Sequence, residues 1–256
     1  MLLKRDDRVV RWVLVMLLAG IAGCASLPSL GRDDRQAEYH YQMGVSYLAE
    51  NNVTGALVEL TQAEKIAPER TDILYHLGLA YFRRGKYETA AEKFSRAILL
   101  KPDFSAARNE LAVTFMELKR WDDAIAQLRL VLDDIFFPGQ GAATINLGLA
   151  HFGKGEYQKA LEIFRKYVVE NPSDPRGHLN LGRVYLAMER LDPALSSFDR
   201  ALSLAPDYAM AHYQRALVLL RQKRIDEAKG SFAEVIRILP DSEIAQLSRE
   251  HLDLLK

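Results

Sequence analysis

The sequence predicts an all-α solenoid of six two-helix repeats, closed by one further helix. Three observations carry that expectation. Small residues recur thirty-four positions apart, with one two-residue slip, at Gly44, Gly78, Ala112, Gly148, Gly182 and Ala216, and again twelve positions on at Ala56, Ala90, Ala124, Ala160, Ala194 and Ala228. A bulky column follows at Leu60, Phe94, Leu128, Phe164, Phe198 and Phe232, and a proline column at Pro68, Pro102, Pro138, Pro172, Pro206 and Pro240. Nothing in the chain reads as a strand.

Each column has a physical reason. Two helices approach closely only where a residue without a bulky side chain faces the partner, so the Gly/Ala columns mark helix crossings. Tyr47, Tyr81, Phe115 and Tyr185 lie one turn along from the first small column and are expected to meet the bulky column of the second helix. Proline lacks the amide donor and disfavours helix in the residue before it, so each proline ends a repeat. Thr54, Asp122, Asp192 and Asp226 are expected to cap the second helices, with Pro193 in the first helical position after its cap.

This pattern resembles the tetratricopeptide repeat. The resemblance implies a right-handed superhelical solenoid whose first helices line a concave face. Six repeats are assigned to residues 37–70, 71–104, 105–140, 141–174, 175–208 and 209–242. Residues 243–256 form a capping helix, begun by Ser242, whose apolar face carries Ile244, Leu247 and Leu255 and covers the sixth repeat.

Charge is balanced, with 34 basic and 34 acidic side chains scattered along the chain, so no basic face or run marks a nucleic-acid footprint. The single cysteine, Cys24, has a specific setting. Lys4, Arg5, Arg8 and Arg11 precede an apolar run from Trp12 to Ala22, too short to span a bilayer as a mature helix and suited to a secretion signal over residues 1–23. Its end, Ile21-Ala22-Gly23-Cys24, resembles the bacterial lipobox. That resemblance implies acyl chains on Cys24, stable membrane anchoring, and, with Ala25 next, sorting to the periplasmic face of the outer membrane. Loss of the signal removes those four basic residues with Asp6 and Asp7, leaving 30 basic against 32 acidic and a net charge of −2. Residues 24–36 are expected to be a lipidated tether, reaching about 40 Å from the membrane if extended at about 3.4 Å per residue.

Catalytic chemistry finds no foothold. His40, His178 and His212 share the fourth repeat position and His151 takes an aromatic slot, so they are expected to pack; no pair has metal-ligand spacing. Gly148 to Lys154 has the spacing of a phosphate-binding loop, but Gly155 stands where a magnesium ligand is needed and no strand precedes it. No enzyme activity, cofactor, metal or small-molecule substrate is expected.

The fifth, ninth and twelfth positions of the first helices sample the concave face. They give Tyr41, Tyr75, Asn109 and Tyr213 among the fifth, Val45 and Leu79 among the ninth, and Phe82 among the twelfth. This surface is apolar, and Tyr41 and Val45 replace the residues with which related arrays grip a terminal carboxylate. Two outcomes stand open: the columns pack between repeats, or Tyr41, Tyr75, Leu79 and Phe82 form a trough for an apolar segment of a partner protein.

The slip falls between Pro102 and Pro138, where the step is 36. The extra residues lie after Val131, so the second helix of the third repeat must lengthen or loop out, and Phe136 and Phe137 beside Pro138 need burial or a partner. Phe137-Pro138 followed by Asn146-Leu147-Gly148 resembles the type IV pilus biogenesis and stability lipoproteins, the PilF/PilW type. That resemblance implies a pilotin: capture of a segment of the outer-membrane secretin by the groove, aiding its localisation and multimerisation. The alternative is a general envelope adaptor that gathers peptidoglycan enzymes or outer-membrane assembly factors.

Overall fold

The computed structural model describes residues 31–255, and Cys24 with the signal lies outside them. Thirteen helices follow one another among the described residues, with no strand. They are α1 (Arg32–Ala49), α2 (Val53–Ile66), α3 (Thr71–Arg83), α4 (Tyr87–Leu100), α5 (Ser105–Glu117), α6 (Trp121–Asp133) and α7 (Gln140–Gly153). Then come α8 (Tyr157–Glu170), α9 (Pro175–Ala187), α10 (Leu191–Leu204), α11 (Ala209–Arg221), α12 (Ile225–Ile238) and α13 (Glu243–Leu254).

Every helix packs against the next, and the curvature follows from which helices also meet at second neighbour. The first helices of successive repeats touch, α1 with α3 and so on to α11 with α13, whereas no two second helices do among the described residues. A ribbon of helix pairs that is tighter on one side must curve toward that side, so α1, α3, α5, α7, α9 and α11 line the inner face. The core is continuous along the ribbon: Leu79 and Tyr81 belong both to the cluster around Leu60 and to the next, around Phe94 and Leu128.

The small column receives the bulky column directly. A Cβ on Gly44, Gly78, Gly148 or Gly182 would stand 2.5, 2.5, 2.5 or 2.6 Å from Leu60, Phe94, Phe164 or Phe198. The aromatic column shares clusters with the bulky column as expected, Tyr47 with Leu60, Phe115 with Leu128 and Tyr185 with Phe198, and it also covers the turn: Tyr47 lies on Gly55, and Arg120 sits 4.3 Å over the Phe115 ring.

The turn inside each repeat is one motif used six times. Asn51, Gly85, Lys119, Gly155, Glu189 and Lys223 have φ between 57° and 83°. The amide after each reaches five residues back, from Asn52 to Tyr47 O (2.8 Å) through Arg224 to Leu219 O (2.9 Å), which closes the first helix as a Schellman turn does. The geometry sets the second helix two residues earlier than expected. Asn52, Arg120, Arg190 and Arg224 occupy the cap positions, and only Asn52 among them accepts a bond there, from Gly55 N. Thr54, Asp122, Asp192 and Asp226 are therefore second helical residues, not caps; the three aspartates complement the helix dipole, and Pro193 is third, where an amide is still unclaimed.

The ends also differ from expectation. Arg32 to Gln36, assigned to the tether, are helical: Gly31 N donates to Asp34 Oδ2 (3.2 Å), and Asp33 and Asp34 place negative charge on the first turn of α1. In α13, Ser242 caps as expected, accepting from Ala245 N at 3.2 Å. Its buried residues are Ala245 and Ser248, and His251 stacks on Phe232 at 4.8 Å, while Leu247 is exposed. Small residues let the cap sit close, so the larger Leu247 turns outward.

The slip is a loop and not a longer helix. α6 has 13 residues where the other second helices have 14, and residues 134–139 form the connection. Asp134 organises it, accepting from Ser105 Oγ (2.5 Å) and Phe136 N (3.1 Å). Phe137 folds over Gly139 and packs on the core, while Ile135 and Phe136 are 78% and 88% exposed.

Candidate functional site

The inner face divides by chemistry. Toward the N-terminus it is aromatic and apolar. Tyr41, Val45, Tyr75, Leu79 and Phe82 are all half-buried, and Tyr75, Leu79 and Phe82 pack against the core beneath them. Tyr75 is rooted most deeply, with ring centroids 5.9 Å from Phe94 and 5.2 Å from Phe104; at the far end Tyr213 stands 5.9 Å from Phe232. Of the two outcomes left open by sequence, packing between repeats is seen for Tyr41, Tyr75, Leu79 and Phe82, each of which keeps part of its surface uncovered. Burial pushes the phenols of Tyr41, Tyr75 and Tyr213 above their usual range, with Asp72, Glu110 and Glu250 respectively adding to it.

Charge at this end is internally matched. Arg70 lies 5.0 Å over the Tyr41 ring and donates to Glu38 Oε2 (2.9 Å) and Asp72 Oδ2 (2.5 Å). The guanidinium fixes the tyrosine face while its own charge is met twice.

Beside these columns runs a polar strip, linked by side-chain hydrogen bonds from α5 onward. Asn146 Nδ2 donates to Asn109 Oδ1 (3.3 Å) across the α5–α7 crossing. Asn180, buried, donates to Arg176 O (3.0 Å) and accepts from Arg183 (3.1 Å). Glu110 is half-buried and takes a side-chain bond only from Asn109 Nδ2 among the described residues, at 3.2 Å; burial pushes its carboxyl above the usual range, with Asn109 opposing.

The sequence reading passed over this polar strip. Its residues fall in the sixth repeat position, as Gln42, His76, Glu110, Asn146, Asn180 and Gln214. Six polar residues in a row, beside a fifth column in which Asn109 alone is an amide, were the available signal. The structure brings Asn109 into this strip, away from the aromatic set of Tyr41, Tyr75, Leu79 and Phe82. Phe136, Phe137 and Pro138 lie in the loop after a second helix, apart from the first helices that line the groove. The histidines pack or pair: His40 lies 2.6 Å from Glu59 and buried His151 lies 2.6 Å from Glu156. Among the described residues no three His, Cys, Asp or Glu side chains are placed to hold a metal ion.

Such a groove can bind an extended or helical segment, with rings for apolar side chains and amides for polar groups. The chain is 28% identical over 174 residues to the type IV pilus assembly protein PilF of Pseudomonas aeruginosa, covering 65% of this chain and 69% of that protein. A solved structure of P. aeruginosa PilF matches with a TM-score of 0.67 at 21% identity, over 86% of this chain and all of that one. The crystal structure of PilW, a widely conserved type IV pilus biogenesis factor, matches with a TM-score of 0.73 at 19% identity, over 82% of this chain and 97% of that one. The tetratricopeptide repeat pattern matches residues 35–103, 75–140, 110–175 and 179–243. With its six helix pairs and its inner face of first helices, the chain belongs to the tetratricopeptide repeat family.

Proposed function

We propose that this chain is a protein-binding scaffold of the bacterial envelope, held at the periplasmic face of the outer membrane by acyl chains on Cys24. It acts in type IV pilus biogenesis by helping the secretin to localise and multimerise, and it is not an enzyme. The 28% identity to a type IV pilus assembly protein over most of the repeat region carries the pilus part of this reading. Binding itself is supported by the half-buried rings of Tyr41, Tyr75 and Phe82 on the inner face, apolar edges that a partner segment would cover.

Deletion of the gene, followed by a gel for heat-stable secretin multimers, tests the reading. Multimers and surface pili are expected to fall together; normal amounts of both would reject the pilus role and favour the general adaptor. Cys24→Ser is expected to release the protein from membranes and reproduce the deletion. Tyr41→Ala is expected to weaken capture of the partner about tenfold, as for a central aromatic anchor.

A further inference from the structure

The groove contains one side chain that breaks its own column. The ninth position is Val45, Leu79, Val113, Leu149 and Leu217 in five repeats, and Arg183 in the other. A guanidinium has replaced an aliphatic side chain at the rim of the core. It lies 5.3 Å over the Phe152 ring and donates to Asn180 Oδ1 at 3.1 Å. No carboxylate reaches it among the described residues, whereas Arg70 at the other end of the groove has two. Burial pushes Arg183 below the usual guanidinium range, with Tyr208 opposing, the direction expected for a cation without its counter-charge.

Such a group weakens the fold unless something outside the fold uses it. Arg183 opens into a cavity of about 290 Å³ between α7, α9 and α11, lined also by Phe152, Leu186, Gln214 and Arg221. Glu189, the one acid on the rim, is turned to Arg221 at 3.4 Å. Leu149 and Leu217 continue the column on either side, so a chain entering here runs past the cavity in both directions.

We propose that this cavity receives a carboxylate side chain of the bound protein segment, with Arg183 as its counter-charge and Gln214 and Arg221 as its rim. This rests on the groove-binding reading above and adds the chemistry and direction of the ligand. Glu110, two repeats away and half-buried without a cation, is the matching feature of opposite sign. The segment therefore carries a basic residue over α5 and an acidic one over α9, and it lies in the groove in one direction only.

A random peptide library, displayed with both ends joined to its scaffold so that no free C-terminus is offered, is selected on the full chain. Selection on the wild type is expected to enrich Asp or Glu at one position. The Arg183→Gln variant is expected to lose that enrichment, and Arg183→Glu to replace it with Lys or Arg. A peptide selected on the wild type is expected to bind Arg183→Gln about tenfold more weakly, and changing its acid to the amide should cost nothing further there. Arg183→Gln should melt no lower than the wild type, which separates lost recognition from lost folding; Arg221→Gln, at an exposed rim position, gives a milder loss without touching the core. Peptides enriched without acids, or with acids enriched equally on Arg183→Gln, overturn this inference and leave the groove reading standing. Failure of the wild type to enrich any peptide overturns both.

Discussion

The ring of Phe164 occupies the space a side chain on Gly148 would need: a Cβ there would stand 2.5 Å from Phe164 Cζ. Both residues sit at the α7–α8 crossing, and the ring is wholly buried, so it has nowhere to retreat. Gly148→Ala is expected to lower stability by about 1–3 kcal/mol through overpacking. Gly230 is the opposite case, an exposed residue inside α12 with no neighbour within 4 Å of a built Cβ. Gly230→Ala should stabilise by about 0.5–1 kcal/mol through backbone entropy and helix propensity. Denaturant midpoints moving the same way for both variants would contradict this account of the small column.

Lys223 holds the left-handed turn between α11 and α12 at φ 59° with a side chain that disfavours it. The equivalent turns at Gly85 and Gly155 use glycine. Relief of the backbone strain outweighs the entropy glycine adds to the unfolded chain, so Lys223→Gly is expected to gain about 0.5 kcal/mol. A loss in thermal midpoint would show that the lysine stabilises the turn by some other contact.

Glu110 has a folded pKa above its unfolded one, so folding disfavours its charged form. The sign is that of a buried acid: its cost is absent below the ordinary carboxylate range and grows as pH rises through that range to the raised value. Glu110→Gln should therefore melt about 2–4 °C higher at neutral pH, with the gap closing in acid. A gap that widened on acidification would reverse the assignment. If Glu110 also contacts a basic residue of the ligand, the stabilised variant binds more weakly.

Phe136 and Phe137 are adjacent and do different things. Phe136→Ser should leave stability within about 0.5 kcal/mol, since the ring is in solvent. Phe137→Ser should lose about 1–3 kcal/mol, because its ring covers Gly139 and packs against the core. Equal midpoints for the two variants would mean that the loop is not anchored by Phe137. The same Phe136→Ser chain, stable but altered in secretin multimers, would mark the exposed ring as a second contact outside the groove.

The periodic columns made the architecture legible because each reports a contact that recurs at every crossing: Gly148 must face Phe164 wherever the rest of the chain goes. Details set by the turn were not legible. The left-handed residue is glycine at only two of six turns, so the two-residue shift that moved Thr54, Asp122, Asp192 and Asp226 off the caps had no clear mark in composition. Tyr41, Tyr75, Leu79 and Phe82 could be placed on the inner face from spacing alone. How far Tyr75 sinks toward Phe94 depends on the superhelical curvature, which no single repeat encodes. Glu110 and Arg183 were visible as letters, yet their lack of partners is a property of neighbours far apart in sequence.

Because each helix pair meets only the pairs beside it, the molecule behaves as a one-dimensional chain of local couplings, and its two ends can open without each other's consent. A segment laid along α1, α3, α5, α7, α9 and α11 would be the one element in contact with six repeats at once. Occupancy of the groove would then act as a longitudinal splint, turning graded opening into concerted opening. Hydrogen exchange should report it as protection spread evenly across those repeats, with α13 left to fray as before.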